Sequence, residues 1–192
     1  MVLAPTQVDT VAGKELVRLQ LLRDLFAAAP NEETLQRLNE QAGHDEVLPR
    51  LARASRQQSP EVLAAEWMRL FEGPGRFPVV LFGSYYLDGG KLMGPSTLAT
   101  RQFYRRYGME PVANVPADHL ALELGMLGYF TASAAMAEAG ERQRFLAARS
   151  EFIQGFMLPW ITKMVEVLGE STSCRFFSEL GHVLVSAILE MQ

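Results

Sequence analysis

Apolar positions recur at helical spacing along almost the whole chain. Leu16, Leu19, Leu22 and Phe26 fall three or four residues apart and mark one face of a first helix. Ala29-Pro30 stops it, because proline lacks the backbone donor and crowds the preceding turn. Asn31 is placed to cap a second helix, with Glu32 and Glu33 at its positive end, Leu35 and Leu38 on its apolar face and Gly43 closing it. A third helix is predicted over Asp45 to Gln57, with Pro49 near its start. Ser59-Pro60-Glu61 combines an N-cap, a first-position proline and an acid, the signature of a helix start. Leu63, Trp67, Leu70 and Phe71 share the face that follows, and Gly73-Pro74-Gly75 ends it.

Downstream, Val79 to Leu87 reads as an extended segment or a short helix. Gly94-Pro95-Ser96-Thr97 opens a helix lined by Ala99, Phe103 and Tyr107 and ended by Gly108. Residues 108–116 form a linker with two prolines. Pro116 to Glu138 is predicted to be the most buried helix, since apolar residues lie on most of its sides. A helix over Glu141 to Met157 is restarted or kinked at Pro159. Ser171-Thr172-Ser173 offers caps for a last helix with a regular apolar period from Phe176 to Met191. His182, on that helix, is expected in the core. There is no internal repeat. The pattern predicts an all-α fold: one helical bundle domain over residues 1–192, with an irregular aromatic loop and a hinge-like linker at 108–116.

Two stretches depart from this pattern. Glu66 to Asp88 continues past its glycine turn as an aromatic, nearly uncharged run with Phe77, Phe82, Tyr85 and Tyr86. Loops are normally polar, and rings with polar tips suit a surface that binds an apolar segment. The second stretch is Pro116-Ala117-Asp118-His119. Its acid suits the positive end of a helix, and its histidine is expected to be neutral there. The two stretches are expected to face each other and form a binding surface.

Composition narrows the function. The 192 residues are 48% hydrophobic and 21% charged, with a net charge of −4, which argues against nucleic acid as a partner. Only Arg101, Arg105 and Arg106 cluster, on a helix with an aromatic stripe, so a DNA-reading helix is not favoured. The single cysteine, Cys174, excludes an internal disulfide and a cysteine-rich metal site and is expected to be a small buried residue. The first residues lack the pattern of a signal peptide, and the uncharged run Leu124 to Ala137 is too short to span a bilayer. A soluble cytoplasmic protein without stable membrane insertion is expected. No phosphate-binding glycine motif, zinc motif or nucleophile elbow is present. A metal-dependent hydrolase using His44, Asp45 and Asp118 is the alternative from another class; no metal ligand set is assigned.

Taken in order, Leu70-Phe71-Glu72-Gly73-Pro74-Gly75, Gly83-Ser84-Tyr85-Tyr86-Leu87-Asp88, Gly94-Pro95-Ser96-Thr97-Leu98-Ala99 and Pro116-Ala117-Asp118-His119 resemble the TorD/DmsD family. The runs from Gly83 and from Gly94 most resemble its DmsD branch, and Leu158-Pro159-Trp160 matches a family feature. These proteins are cytoplasmic chaperones for molybdenum-containing redox enzymes of the DMSO and TMAO reductase type. The resemblance implies an all-α fold and no catalysis; no cofactor is assigned, and no phosphate loop is present to hold a guanine nucleotide. It implies binding of the twin-arginine signal peptide of a molybdoenzyme catalytic subunit, which is held back from the export machinery until the molybdenum cofactor is inserted. The peptide-binding residues it implies here are Trp67, Leu70, Phe71, Phe82, Gly83, Ser84, Tyr86, Pro116, Asp118 and His119. Asp118 is the first candidate acceptor for the arginines, with Glu72 and Asp88 as additional acids. The chain departs from the family at Val115, where an acid is common, and at Pro78-Val79-Val80, where paired prolines are common. A monomer is expected, with a dimer that exchanges halves through the linker as the alternative. A sister chaperone for a non-exported enzyme, of the nitrate reductase kind, is the nearest rival reading.

Overall fold

The computed structural model describes residues 11–73, 78–111 and 115–192. The expected N-terminal stretch, Phe77, most of the Gly73-Pro74-Gly75 turn and the middle of the linker lie outside these residues. Among the described residues ten α-helices follow in order: α1 (Val11–Ala27), α2 (Glu32–Gln41), α3 (Leu48–Ser55), α4 (Pro60–Trp67), α5 (Gly83–Leu87), α6 (Pro95–Arg106), α7 (Leu120–Met136), α8 (Ala139–Phe152), α9 (Leu158–Ser171) and α10 (Arg175–Glu190). Among the described residues there is no β-strand beyond one isolated bridge. The fold is all-α.

The local signals act as their chemistry requires. Asn31 accepts a hydrogen bond from the Thr34 amide, and Ser59 accepts one from Val62, so both cap their helices. Gly108 ends α6 at φ +71°, a left-handed conformation open to glycine. Asp45 does not begin a helix; its Oδ1 accepts from the amides of Val47 and Leu48 and so caps α3, which starts three residues later than predicted. The last turn of α4 widens over Met68–Glu72, and that of α8 over Ile153–Met157. The second widening lies just before Pro159, whose ring would crowd a regular turn.

α7 is the central helix. α1 runs along one side of it and α8 along another, while α10 packs against α9 and α3. Leu120, Leu124, Met126, Leu127 and Phe130 of α7 are all buried. One apolar cluster takes in residues from α1 to α10. Phe103, Phe130, Phe152 and Phe156 form an aromatic knot within it, with neighbouring ring centroids 4.8–6.3 Å apart. Such pairs add about 0.5–1.5 kcal/mol each beyond simple burial.

Three expectations are corrected. His182 is exposed, because the inward stripe of α10 runs through Leu180, Val183, Leu184 and Ala187 and leaves position 182 on the outer face. Cys174 is half-buried and is the N-cap position of α10; Thr172 supports it by accepting from its amide. The helix predicted from Pro116 starts at Leu120, and Pro116 to His119 form the turn that leads into it.

Candidate functional site

The two unusual stretches do face each other. Val79 to Leu81 lie outside any helix, Phe82 is extended and α5 begins at Gly83, so the segment combines extended backbone with a short helix. Phe82 and His119 form an antiparallel bridge. The Leu120 amide donates to the Leu81 carbonyl at 2.9 Å, and the Gly83 amide donates to the Asp118 carbonyl at 3.0 Å. The Phe82 and His119 rings meet edge to face at 4.9 Å. The Val79 amide donates to the Leu70 carbonyl at 3.1 Å, which ties the segment to the end of α4.

Asp118 is buried, at 1% exposure. Its Oδ2 accepts from the Ser84 amide at 2.6 Å, while Oδ1 has no hydrogen-bond partner among the described residues. The side chain expected to be an open acceptor is thus first a clamp on the start of α5. His119 is the N-cap of α7: its Nδ1 accepts from the Ala121 amide at 3.1 Å. That bond requires a bare Nδ1, so the ring is neutral with its proton on Nε2. Burial pushes the imidazole pKa down, and the neighbouring Asp118 charge opposes the shift.

Trp160 of α9 forms the floor. A Cβ on Gly83 would lie 2.9 Å from Trp160 Nε1 and 3.1 Å from Cδ1, so glycine is what lets the turn rest on the indole. Tyr86 stacks on the same indole at 5.8 Å and 19°. Its hydroxyl accepts from the Val80 amide at 3.3 Å, and burial pushes its pKa up to about 12. Beneath, the Trp160 indole N–H donates to Oε2 of Glu123 at 3.2 Å. Glu123 is fully buried, and burial followed by the Asp118 charge raises its pKa well above the ordinary carboxyl value. Tyr104 donates to the Ala117 carbonyl at 3.0 Å; burial, then Glu123 and Asp118, hold its pKa well up.

The buried Glu123 has a consequence for stability. The native carboxyl keeps its proton at pH values where the unfolded chain has lost it, so folding takes up a proton. This contribution is intact below the ordinary value near 4.5 and is lost as pH rises toward the raised native value. The slope for one full proton is about 1.4 kcal/mol per pH unit. Glu123→Gln is therefore expected to be more stable than wild type at pH 8, with the gap closing toward pH 4.5. Denaturant titrations at several pH values measure it.

The other expected site residues are distributed unevenly. Trp67, Leu70 and Phe71 are core positions, none more than 4% exposed. The Trp67 indole N–H donates to the Leu25 carbonyl at 2.9 Å, and Phe71 packs among Phe26, Trp67 and Phe177. Gly83 and Ser84 are buried; Phe82, Tyr86, Pro116 and His119 are half-buried. Asp88 caps α6, its Oδ2 accepting from both the amide and hydroxyl of Ser96 at 3.0 and 2.6 Å. Glu72 is exposed at the end of the widened turn. Glu123, Trp160 and Tyr104 were not among the expected site residues. An acid within the apolar run of α7 was the available signal for the first, since a buried acid needs a partner.

Elsewhere, a cavity of about 350 Å³ is lined by Gly13, Lys14, Val17, Gln41, His44, Asp45 and Leu48. Asp45 there is bound to Arg18 at 2.8 Å. Among the described residues, no group of three or more His, Cys, Asp or Glu side chains is placed to hold a metal ion. Arg101 and Arg105 both pair with Glu110, whose pKa they pull down to about 2, and Arg106 pairs with Glu151. No helix of the described residues is long and apolar enough to cross a membrane.

An all-α protein with a buried acidic clamp at an aromatic seam is the class that fold and site define. Residues 27–166 match the family described as nitrate reductase delta subunit. The chain is 26% identical over 136 residues to the chaperone protein TorD of Aliivibrio salmonicida, covering 69% of this chain and 63% of that one. It is 29% identical over 150 residues to the Tat proofreading chaperone DmsD of Salmonella typhi, covering 77% and 69%. A TorD of Vibrio cholerae is 33% identical over 135 residues, covering 68% and 60%. The match thus spans 60–69% of the length of these relatives. A putative redox enzyme maturation protein from Archaeoglobus fulgidus has the same fold, with a TM-score of 0.66 at 19% identity over 95% of this chain and 99% of that one. The chain belongs to the TorD/DmsD family of maturation chaperones. Relatives of both names match to similar degrees, so the DmsD branch is not set apart from the TorD branch.

Proposed function

We propose that this protein is a non-enzymatic cytoplasmic chaperone that binds the twin-arginine leader of a molybdoenzyme catalytic subunit. It holds the client back from the export machinery until the cofactor is inserted. The observation that carries this reading is the seam between Leu81–Tyr86 and Pro116–His119, where the Phe82 and His119 rings meet next to a buried carboxylate whose Oδ1 has no hydrogen-bond partner among the described residues. The names of the relatives support the choice of ligand.

The chemistry of such a leader fits. Its apolar run needs rings to lie on, and Phe82, Tyr86 and His119 are half-buried rings at one seam. Its guanidinium groups need an anionic acceptor, for which charge-assisted bonds to a carboxylate are the strong choice. A guanidinium that reached the seam would meet Asp118 Oδ1, a buried oxygen with no hydrogen-bond partner among the described residues. Glu72, exposed at the end of α4, offers a second acid. Asp88 is committed to α6. Trp67, Leu70 and Phe71 serve from behind, holding the wall through the Leu70–Val79 bond. The working form is a monomer.

The nitrate reductase description of the family favours a second reading, a client that is not exported and carries no arginine pair. Calorimetric titration separates the two. The leader reading predicts binding of a twin-arginine leader peptide and at least tenfold weaker binding after both arginines are changed to alanine. Equal binding of the two peptides overturns it in favour of the second reading; no binding of either rejects leader recognition.

A further inference from the structure

We infer that Glu123 is a positioning residue for the leader site, acting through Trp160 without touching the peptide; this rests on the leader-binding reading. Glu123 lies on α7 four residues beyond His119 and is fully buried. Its Oε2 is the hydrogen-bond acceptor of the Trp160 indole. That indole supports two parts of the seam at once. It lies in contact range beneath Gly83, and it stacks with Tyr86, whose hydroxyl holds the Val80 amide. The segment from Val80 to Tyr86 is therefore held by two acids of the same chain turn and helix start. Asp118 holds it directly through the Ser84 amide, and Glu123 holds it through the indole.

This arrangement explains why an acid stands inside an apolar helix. A buried carboxyl costs stability unless it is neutral and hydrogen-bonded. Among the described residues Trp160 is the hydrogen-bond partner of Glu123 Oε2, while the buried Glu123 Oε1 and Asp118 Oδ1 have none. An apolar residue of similar volume would pack in the same place without that cost. It would also leave the indole N–H without an acceptor and so without the bond that sets the tilt of the ring. The acid gives up stability and in return fixes the plane of Trp160, and with it the height of Gly83 and the tilt of Tyr86.

Two variants test this. Glu123→Gln keeps an acceptor for the indole; Glu123→Met keeps the volume and removes it. Leader affinity is expected to stay within about twofold of wild type in the first and to fall at least tenfold in the second, while the methionine variant is as stable as wild type or more so. A residue that only supported the fold would not separate affinity from stability in that way. The indole N–H resonance of Trp160, identified by its loss in Trp160→Phe, is expected to move in the methionine variant and hold in the glutamine one. Glu123→Asp, one methylene short of the indole, is the second variant should the methionine chain not fold, and it too is expected to bind the leader more weakly. Wild-type affinity in the methionine variant, or equal weakening by glutamine and methionine, overturns the role of Glu123. If wild type binds no leader, the functional reading fails by itself, and the indole resonance still decides whether Glu123 positions Trp160.

Discussion

Gly83→Ala is expected to destabilise the protein and to disable the seam together. The new Cβ would stand 2.9, 3.1 and 3.3 Å from three atoms of the Trp160 indole. These are atoms of a rigid ring that is itself fully buried, so they cannot swing aside as the tip of a flexible side chain would. Overpacking of this kind costs about 1–3 kcal/mol. For a chain of this size each kcal/mol lowers Tm by roughly 2–4 °C. The strain falls on the bonds that join Gly83 and Ser84 to Asp118, so leader binding is expected to weaken with stability. Gly128→Ala is the control. A Cβ there meets nothing within 4 Å, and alanine is the better helix former, so a stability gain of up to about 1 kcal/mol is expected. Thermal denaturation of the two variants, beside wild type, measures the contrast.

Asp118→Asn is expected to leave the fold standing and remove most leader affinity. The amide oxygen of asparagine can still accept from Ser84, so the clamp on α5 survives. What is lost is the charge that a guanidinium would meet at Oδ1. A hydrogen bond to a charged group contributes about 1.5–3 kcal/mol, which corresponds to roughly a tenfold to hundredfold loss of affinity. The residual binding is expected to depend less on salt than that of wild type, since one ion pair has gone. Equal affinity of variant and wild type at low and high salt would remove Asp118 from the arginine site.

Much of this fold can be read in the chain before any coordinates. Helix starts at Asn31 and Ser59 carry their own capping chemistry, and the stripe of α7 announces a central helix. The meeting of Phe82 with His119 follows from two local oddities, an apolar loop and an acid–histidine helix entry. What could not be read depends on which groups tertiary packing covers. Trp67, Leu70 and Phe71 sit next to the loop in sequence but turn into the core, where Phe26 and Phe177 fill the space around Phe71. Asp118 reads as a surface acid because nothing local says that a backbone amide 34 residues away will take one of its oxygens. Glu123 and Trp160, 37 residues apart, share a hydrogen bond that no spacing rule predicts. His182 is a different case. The period of α10 already places position 182 opposite Leu180 and Leu184, so the pattern itself marks it as exposed.

The seam as the place where a leader docks is tested most directly by amide hydrogen exchange, with and without a saturating twin-arginine peptide. The amides of Gly83, Ser84 and Leu120 cross the seam in the free protein. Slower exchange on adding peptide, concentrated over residues 80–86 and 117–122, is the predicted result. Protection confined to the cavity walls around Lys14, Gln41 and His44, with the seam unchanged, would contradict it.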